Sequence, residues 1–223
     1  DVIEDRNSGQ VEVALPNYCA VQLASRQGIR IMLTGQAADE LFGGYSWYAN
    51  LAYKLGFAKL REHMYEDLTL LYKETLERED KITMAHSVEM REPFLDIGVI
   101  ATSMDIDMRL NVRKNDKFGK WVHRRLAQKL GIPKDIAFRV KEAAQHGSGV
   151  HSAIDAIARK HGFDERAVTS SYMKLLESHE RIGSSQRYGY LFEKEQKMWI
   201  AEPHVQMYLD SLVKSKVLAE KKA

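Results

Sequence analysis

The fold is decided by the stretch Ile29–Tyr45, which has the sequence IRIMLTGQAADELFGGY. Four of its first five residues, Ile29–Leu33, are apolar and two are β-branched isoleucines, which predicts a short buried strand. Upstream, Pro16 suits the first turn of a helix, and Gly28 suits the residue that ends it. Helix, glycine and strand in this order are typical of an α/β unit.

Polar residues follow this strand directly. In open α/β sheets ligands bind beyond the carboxyl ends of strands, where Thr34 and Gly35 stand. Asp39 and Glu40 come next and would point about 100° apart on a helix, which predicts separate roles. One of them could hold Mg²⁺. Alternatively, both acids simply favour the positive end of a helix, which Gly43-Gly44 would terminate.

Beyond Tyr45 the sequence predicts mostly helices. Apolar residues recur at helical spacing in four segments, which are Leu60–Leu71, Val122–Leu130, Ile154–Ala158 and Val205–Val213. The segment Ala85–Asp96 has no such period, and Pro93 disfavours helix at Glu92.

Two further segments carry charges that could serve a site. Arg91 could pair with Glu89 or Asp96 in a buried ion network, because apolar residues surround them. Lys141 lies in a loop after Pro133, and a lysine ammonium suits a phosphate or a developing oxyanion. By itself, a lone lysine is usually a surface residue. The turn at 147–149, Gly-Ser-Gly, is a weak phosphate-binding signal, and the histidine at position 86 is interpreted as structural.

The composition excludes several classes of protein. Lysine and arginine number 33 and acidic residues 31, a balance that argues against a nucleic-acid-binding protein. No apolar run is long enough to span a bilayer. The single cysteine, Cys19, excludes an intramolecular disulfide and a cysteine-rich zinc site, which favours a cytoplasmic setting.

Three segments, in this order, resemble the conserved blocks of the synthetase domain of asparagine synthetases. They are Thr34–Tyr45, Asp80–Asp96, and Lys120–Arg124 followed by Arg139–Lys141. The resemblance runs from about position 11 to about position 161. It implies the C-terminal, mostly helical part of an N-type ATP pyrophosphatase (adenine nucleotide alpha hydrolase-like) α/β domain.

The resemblance also implies an activity. Members activate a carboxylate, aspartate by default, as an acyl-adenylate, and ammonia or an amine then displaces AMP. The expected cofactors are ATP and Mg²⁺. By resemblance, Thr34, Gly35 and Gln36 would contact ATP, Asp39 would hold Mg²⁺ and pyrophosphate, and Lys141 would bind the nucleotide and act as the catalytic cation at the α-phosphate.

The sequence also departs from the family pattern. Gln36 stands where many members have glutamate and cannot act as a base. Ala37 replaces a usual glycine. The segment Gln10–Pro16 lacks the Ser, Thr or Arg expected near aspartate, which places that substrate in question. The family's Ser-Gly-Gly-x-Asp-Ser loop is not found in these 223 residues. These departures indicate a divergent, short member without the glutaminase domain.

The expected organisation is a synthetase part at 1–160 and a helical C-terminal extension at 161–223. An upstream segment or a separate subunit would supply the pyrophosphate loop, and a homo-oligomer is possible. Without that complement, the sheet edge at Ile29–Leu33 would be exposed. Two alternatives stay open: a non-catalytic nucleotide-binding or regulatory homologue, and a lactam- or macrolactam-forming relative.

Overall fold

The structure, a computed structural model, describes residues 1–180 and 202–220. They form two compact units. The terminal unit combines Asp1–Ala20 with Ala143–Ala223, and the central unit is Val21–Glu142. The predicted division into 1–160 and 161–223 refers to family boundaries and stays a prediction. No helix of the described residues has the length and apolarity to cross a membrane.

The described chain is mostly helical, as predicted. In chain order its helices and strands are α1 (Ser8–Arg26), β1 (Ile31–Leu33), α2 (Ala38–Phe42), α3 (Ser46–Leu55), α4 (Phe57–Leu71), a π-helical turn (Tyr72–Leu76), α5 (Glu77–Met84), β2 (Glu89–Arg91), a 3₁₀ turn (Pro93–Leu95), α6 (Ile97–Asp105), a 3₁₀ turn (Met108–Leu110), α7 (Trp121–Lys129), α8 (Lys134–Ala137), α9 (Ala144–Gly147), α10 (Val150–Lys160), α11 (Ser170–Glu180) and α12 (Pro203–Glu220).

The prediction of a buried strand at Ile29–Leu33 is wrong in two respects. The strand is shorter than predicted, and its side chains are not buried. It pairs in parallel with β2, and Met32 lies opposite Met90. Ile31 and Leu33 are 46% and 72% exposed. The reason is that a strand is buried only where other elements cover its faces, and among the described residues β2 alone pairs with β1.

The first helix begins at Ser8 and not at Pro16, which lies inside it. The start is set by Asn7, whose side-chain oxygen accepts a hydrogen bond from the Gln10 amide at 3.3 Å, as an N-cap residue does. Proline removes one backbone donor but keeps a helical φ, and the helix continues through it. Gly28, at φ +78°, follows its end as predicted.

The core of the central unit forms around α2. Ala37, Ala38, Leu41 and Phe42 are buried together with Leu71 of α4. Partly buried apolar residues complete this core, namely Leu68, Leu76, Phe94, Leu95, Val99, Ile100, Met104 and Ile106. The core therefore fixes the short helix that carries the two adjacent carboxylates.

The terminal unit has its own core, in which Ile154 and Ala158 of α10 contact Val205 of α12. This confirms that the last amphipathic helix docks within its own chain. The predicted apolar stripe is only partly buried, since Leu212 and Val213 are exposed. The polar sequence from Lys214 to Lys222 predicts a solvated tail; its side chains are not described, and 221–223 lie outside the described residues.

Candidate active site at the carboxyl end of the first strand

Asp39 lies between two lysines. The Nζ atom of Lys120 is 3.0 Å from its Oδ1 atom, and the Nζ atom of Lys141 is 3.9 Å from its Oδ2 atom. All three side chains are at most 30% exposed. The structure thus brings together two residues that the sequence analysis selected and adds Lys120. That lysine stands in the third resembling block, and its position directly before a helix is a signal of a loop-borne functional side chain.

The two adjacent carboxylates have separate environments, as predicted from their helical spacing. Glu40 is buried and accepts a hydrogen bond from the Tyr45 hydroxyl at 2.6 Å. Burial raises the pKa of Glu40 above its ordinary value. Burial also raises the pKa of Tyr45 well above its usual range, and the Glu40 carboxylate adds to this effect. Glu40 therefore has a structural role in the core, whereas Asp39 is partly exposed and pairs with the two lysines.

The backbone at both ends of α2 is left-handed. Ala37, at φ +70°, precedes the helix, and Gly43, at φ +74°, ends it. The glycine stop is as predicted. An alanine at φ > 0 carries strain that glycine would not, and strain of this kind often accompanies functional sites.

The absence of a side chain at Gly44 leaves room for the Asp39 carboxylate. A Cβ atom at position 44 would stand 1.7 Å from Asp39 Oδ1 and 2.9 Å from its Cα. The Gly44 amide also donates to the Asp39 carbonyl at 2.9 Å. The close approach of this backbone fixes the carboxylate in one direction.

Lys120 reaches the site through a second tight backbone contact. Gly119 and Lys120 both have left-handed backbones, at φ +57° and +52°. The Lys120 amide donates to the Gly43 carbonyl at 3.3 Å, and a Cβ at Gly119 would stand 2.6 Å from the same oxygen. The start of α7 is therefore held against the end of α2.

Lys141 also contacts an aromatic ring. Its Nζ atom is 5.1 Å from the centre of the Tyr45 ring, a cation–π distance. The Tyr45 ring in turn stacks on Trp47, with centres 5.8 Å apart. The loop position predicted for Lys141 is confirmed.

Thr34, Gly35 and Gln36 connect β1 to the helix of Asp39. The Thr34 amide extends the parallel ladder by donating to the Arg91 carbonyl at 3.0 Å. No heavy atom lies within 4 Å of a Cβ built on Gly35, so one side of this backbone is open. In the part of the chain that the structure describes, the side chains of Thr34 and Gln36 make no hydrogen bond to Asp39 or its lysines. Their nucleotide contacts stay a prediction.

The predicted buried ion network around Arg91 is wrong. Arg91 pairs with Glu89 at 2.7 Å, but both side chains are more than half exposed. Asp96 instead caps α6 and accepts from the Gly98 amide at 2.8 Å. Glu89 and Arg91 are exposed because they occupy alternate positions of β2, and alternate residues of a strand covered on one face point to solvent.

The Gly-Ser-Gly turn lies in the terminal unit and joins α9 to α10. The Ser148 hydroxyl bonds locally, donating to the Gln145 carbonyl and accepting from the Val150 amide, both at 3.4 Å. Gly149 has φ +77°. These contacts describe an ordinary connection between two helices.

The terminal unit contains one cluster with metal-ligand chemistry among the described residues, formed by Asp155, Glu202 and His204. The His204 Nε2 atom is 2.6 Å from Asp155 Oδ1 and 3.2 Å from Glu202 Oε2. Hydrogen bonds from Arg159 and His204 lower the pKa of Asp155 to about 2. The charges of this cluster are therefore balanced by hydrogen bonds and ion pairs within the protein.

The central site does offer ligands for magnesium and phosphate. Asp39 Oδ1 is buried and accepts no hydrogen bond among the described residues, although it forms the ion pair with Lys120. A buried carboxylate oxygen with a free lone pair suits Mg²⁺, and the two ammonium groups suit phosphate oxygens. The donor set therefore fits a magnesium nucleotide.

The comparisons with known proteins agree with this geometry. The family model described as asparagine synthase matches residues 1–58 and 53–209. A protein of Methanocaldococcus jannaschii, assigned as asparagine synthetase [glutamine-hydrolyzing] 1, is 32% identical over 195 residues, covering 74% of this chain and 36% of its own length. The asparagine synthetase [glutamine-hydrolyzing] of Zea mays is 30% identical, covering 77% of this chain and 29% of its own.

The chain thus spans about a third of the length of the curated relatives it matches. The family model covers far more than half of the 223 residues and includes every residue of the site around Asp39. This chain belongs to the asparagine synthase family.

Proposed function

We propose that this chain takes part in ATP-dependent amide-bond formation through an acyl-adenylate, with aspartate as the default acyl substrate and ammonia or an amine as the nitrogen donor. The observation that carries the proposal is the convergence of Lys120 and Lys141 on Asp39, beside the carboxyl end of β1. Family membership supports an asparagine synthetase-like ligase. The N-type ATP pyrophosphatase fold belongs to the same proposal.

Asp39 would hold Mg²⁺, and Thr34, Gly35 and Gln36 would lie against ATP. The open side of Gly35 leaves room for a ligand near its backbone. Mg²⁺, when bound at Asp39, would supply positive charge that neutralises the phosphates. The Lys120 and Lys141 ammonium groups would then be released from their shared carboxylate to face phosphate oxygens.

Lys141 is the residue to which we assign catalysis. Attack of a carboxylate on the α-phosphorus spreads negative charge over the phosphate oxygens. A cation that is already in place stabilises this charge without reorganising in the transition state. The Tyr45 ring, 5.1 Å from the ammonium, limits where it can point. Removal of one such group typically lowers kcat by roughly 10²–10³-fold.

The test is amino-acid-dependent ATP–pyrophosphate exchange by the protein as its source cell makes it. Lys141→Ala is expected to reduce exchange at least ~tenfold, because the developing charge loses its cation. Lys134→Ala, which removes the same charge from α8, is the matched control and should exchange like the wild type. Unchanged exchange in Lys141→Ala would overturn the role assigned to it.

A non-catalytic nucleotide-binding or regulatory homologue is the second candidate, favoured by Gln36 and Ala37. A nucleotide-binding homologue would raise its melting temperature with millimolar Mg·ATP but show no pyrophosphate exchange, whereas a regulatory homologue that no longer binds nucleotide would show neither effect. A ligand at 100 times its Kd adds about 2.7 kcal/mol of stability, so binding is readily detected. A lactam-forming relative would instead show a product lighter by one water, with no nitrogen added.

A further inference from the structure

The two lysines of the site come from different segments of the central unit. Lys120 follows Gly119 at the start of α7, whereas Lys141 follows Arg139 in the loop after α8. The Lys120 segment is held against the end of α2 through the Gly43 carbonyl, and the place of the Lys141 ammonium relative to it depends on what joins the two segments. The distance between the two charges therefore depends on the packing of the Phe138 ring against Phe118 and Trp121 and on a polar contact between these segments.

Arg124 makes that contact. From α7 its guanidinium donates to the carbonyls of Gly119 and Phe118, both at 2.9 Å. The same group donates to the carbonyls of Ala137 and Arg139, both at 2.8 Å. One pair of carbonyls directly precedes Lys120, and the other closely precedes Lys141.

The chemistry of these four bonds requires arginine. The residue is buried, 7% exposed, and among the described residues no carboxylate lies within ion-pair distance of its guanidinium. Guanidinium presents five N–H donors in a rigid plane, which allows it to bridge separate carbonyls, whereas a lysine ammonium presents three donors from one point. Burial lowers the pKa of Arg124, yet an arginine stays charged.

We infer that Arg124 is a positioning residue, which holds the Lys120 and Lys141 segments at a fixed separation through four backbone carbonyls. This inference rests on the proposed function for its catalytic consequence only. Its geometric content, that Arg124 fixes both ammonium groups, applies whatever reaction the site performs.

The first experiment measures lysine reactivity in the 223-residue chain. Each lysine is acetylated competitively in trace amounts, and the rates are read by mass spectrometry for Arg124→Lys, for the matched control Arg125→Lys and for the wild type. Arg125 is an exposed neighbour on the same helix, and its side-chain hydrogen bond within the described residues is a local one to Gln128. In Arg124→Lys we expect the rates at positions 120 and 141 to change at least ~threefold together, since both segments lose a shared anchor.

The same variants are then compared in the exchange assay. Displacement of a catalytic group by about 1 Å costs up to ~10²-fold in rate, so kcat should fall in Arg124→Lys while KM for the carboxylate stays within ~twofold. Arg125→Lys should match the wild type in both assays. If the wild type shows no exchange, the proposed function fails, and the labelling result still decides the role of Arg124.

A measurement on the wild-type chain covers the case in which Arg124→Lys does not fold. The Arg124 Nε–H proton, bonded to the Gly119 carbonyl, should exchange slowly with solvent, and its NMR resonance should shift as inorganic pyrophosphate saturates the site. A rapidly exchanging proton, a resonance that pyrophosphate leaves in place, or a folded Arg124→Lys with unchanged lysine rates would each overturn the inference.

Discussion

Substitution of Gly44 by alanine should displace the Asp39 carboxylate. The added Cβ would stand 1.7 Å from Asp39 Oδ1, and real Cβ contacts are essentially never under 3.0 Å, so the oxygen must move by at least 1.3 Å. The Asp39 Cα atom, 2.9 Å away, limits how far the backbone can help. Overpacking of this kind costs about 1–3 kcal/mol.

Two measurements test this prediction, one of stability and one of activity. Urea unfolding should show a loss of about 1–3 kcal/mol in Gly44→Ala, and pyrophosphate exchange should fall up to ~10²-fold. Gly35→Ala is the control for stability, because its Cβ would meet no atom within 4 Å. Asp39→Ala combined with Gly44→Ala removes the clashing oxygen, so the two changes should couple favourably.

A Gly44→Ala protein that keeps wild-type stability and wild-type exchange would refute this reasoning. So would strictly additive effects in the double variant, because residues in contact normally couple by about 0.5–3 kcal/mol.

Three further predictions concern charge and backbone strain. Burial raises the pKa of Glu40 above 4.5, so the stability it contributes is complete below pH 4.5 and is lost as pH rises through the raised pKa; Glu40→Gln should flatten this part of the urea-unfolding profile. At φ +70°, Ala37→Val should destabilise by about 1–2 kcal/mol or more in thermal unfolding, whereas Ala37→Gly should change stability by less than about 1 kcal/mol. The pKa of Asp155 is lowered from 3.8 to about 2, so its stabilising effect is present above pH 3.8 and is lost towards pH 2; Arg159→Met should shift that acid loss to higher pH in a melting series.

The sequence was most informative for residues that lie in the three segments resembling the family's conserved blocks. Asp39 and Lys141 were selected because their segments occur in the order of a family pattern, and they lie within 3.9 Å of each other. The glycine stop at Gly43 was also predictable, because a left-handed residue at a helix end favours glycine.

Other features depend on contacts that leave no mark in a sequence pattern. Arg124 acts through backbone carbonyls, which every residue possesses, so no residue type at Ala137 or Arg139 reveals the contact. The apolar pattern of Ile29–Leu33 predicted a buried strand, and the exposure of the Ile31 side chain instead depends on which elements cover the strand. Pro16 misled for a third reason, since an N-cap at Asn7 outweighs the usual place of proline.

The terminal unit joins two segments that leave the ribosome far apart in time. The Ser8 amide donates to Gln206 Oε1 at 2.8 Å across 198 positions, and the Glu12 carboxylate accepts from His151 Nδ1 at 2.9 Å. Closing so long a loop costs roughly 2 kcal/mol more in chain entropy than closing one a tenth as long. During synthesis the continuous central unit can fold first, and the start of α1 pairs in two stages, first at Glu12 when His151 emerges and then at Ser8 when Gln206 does.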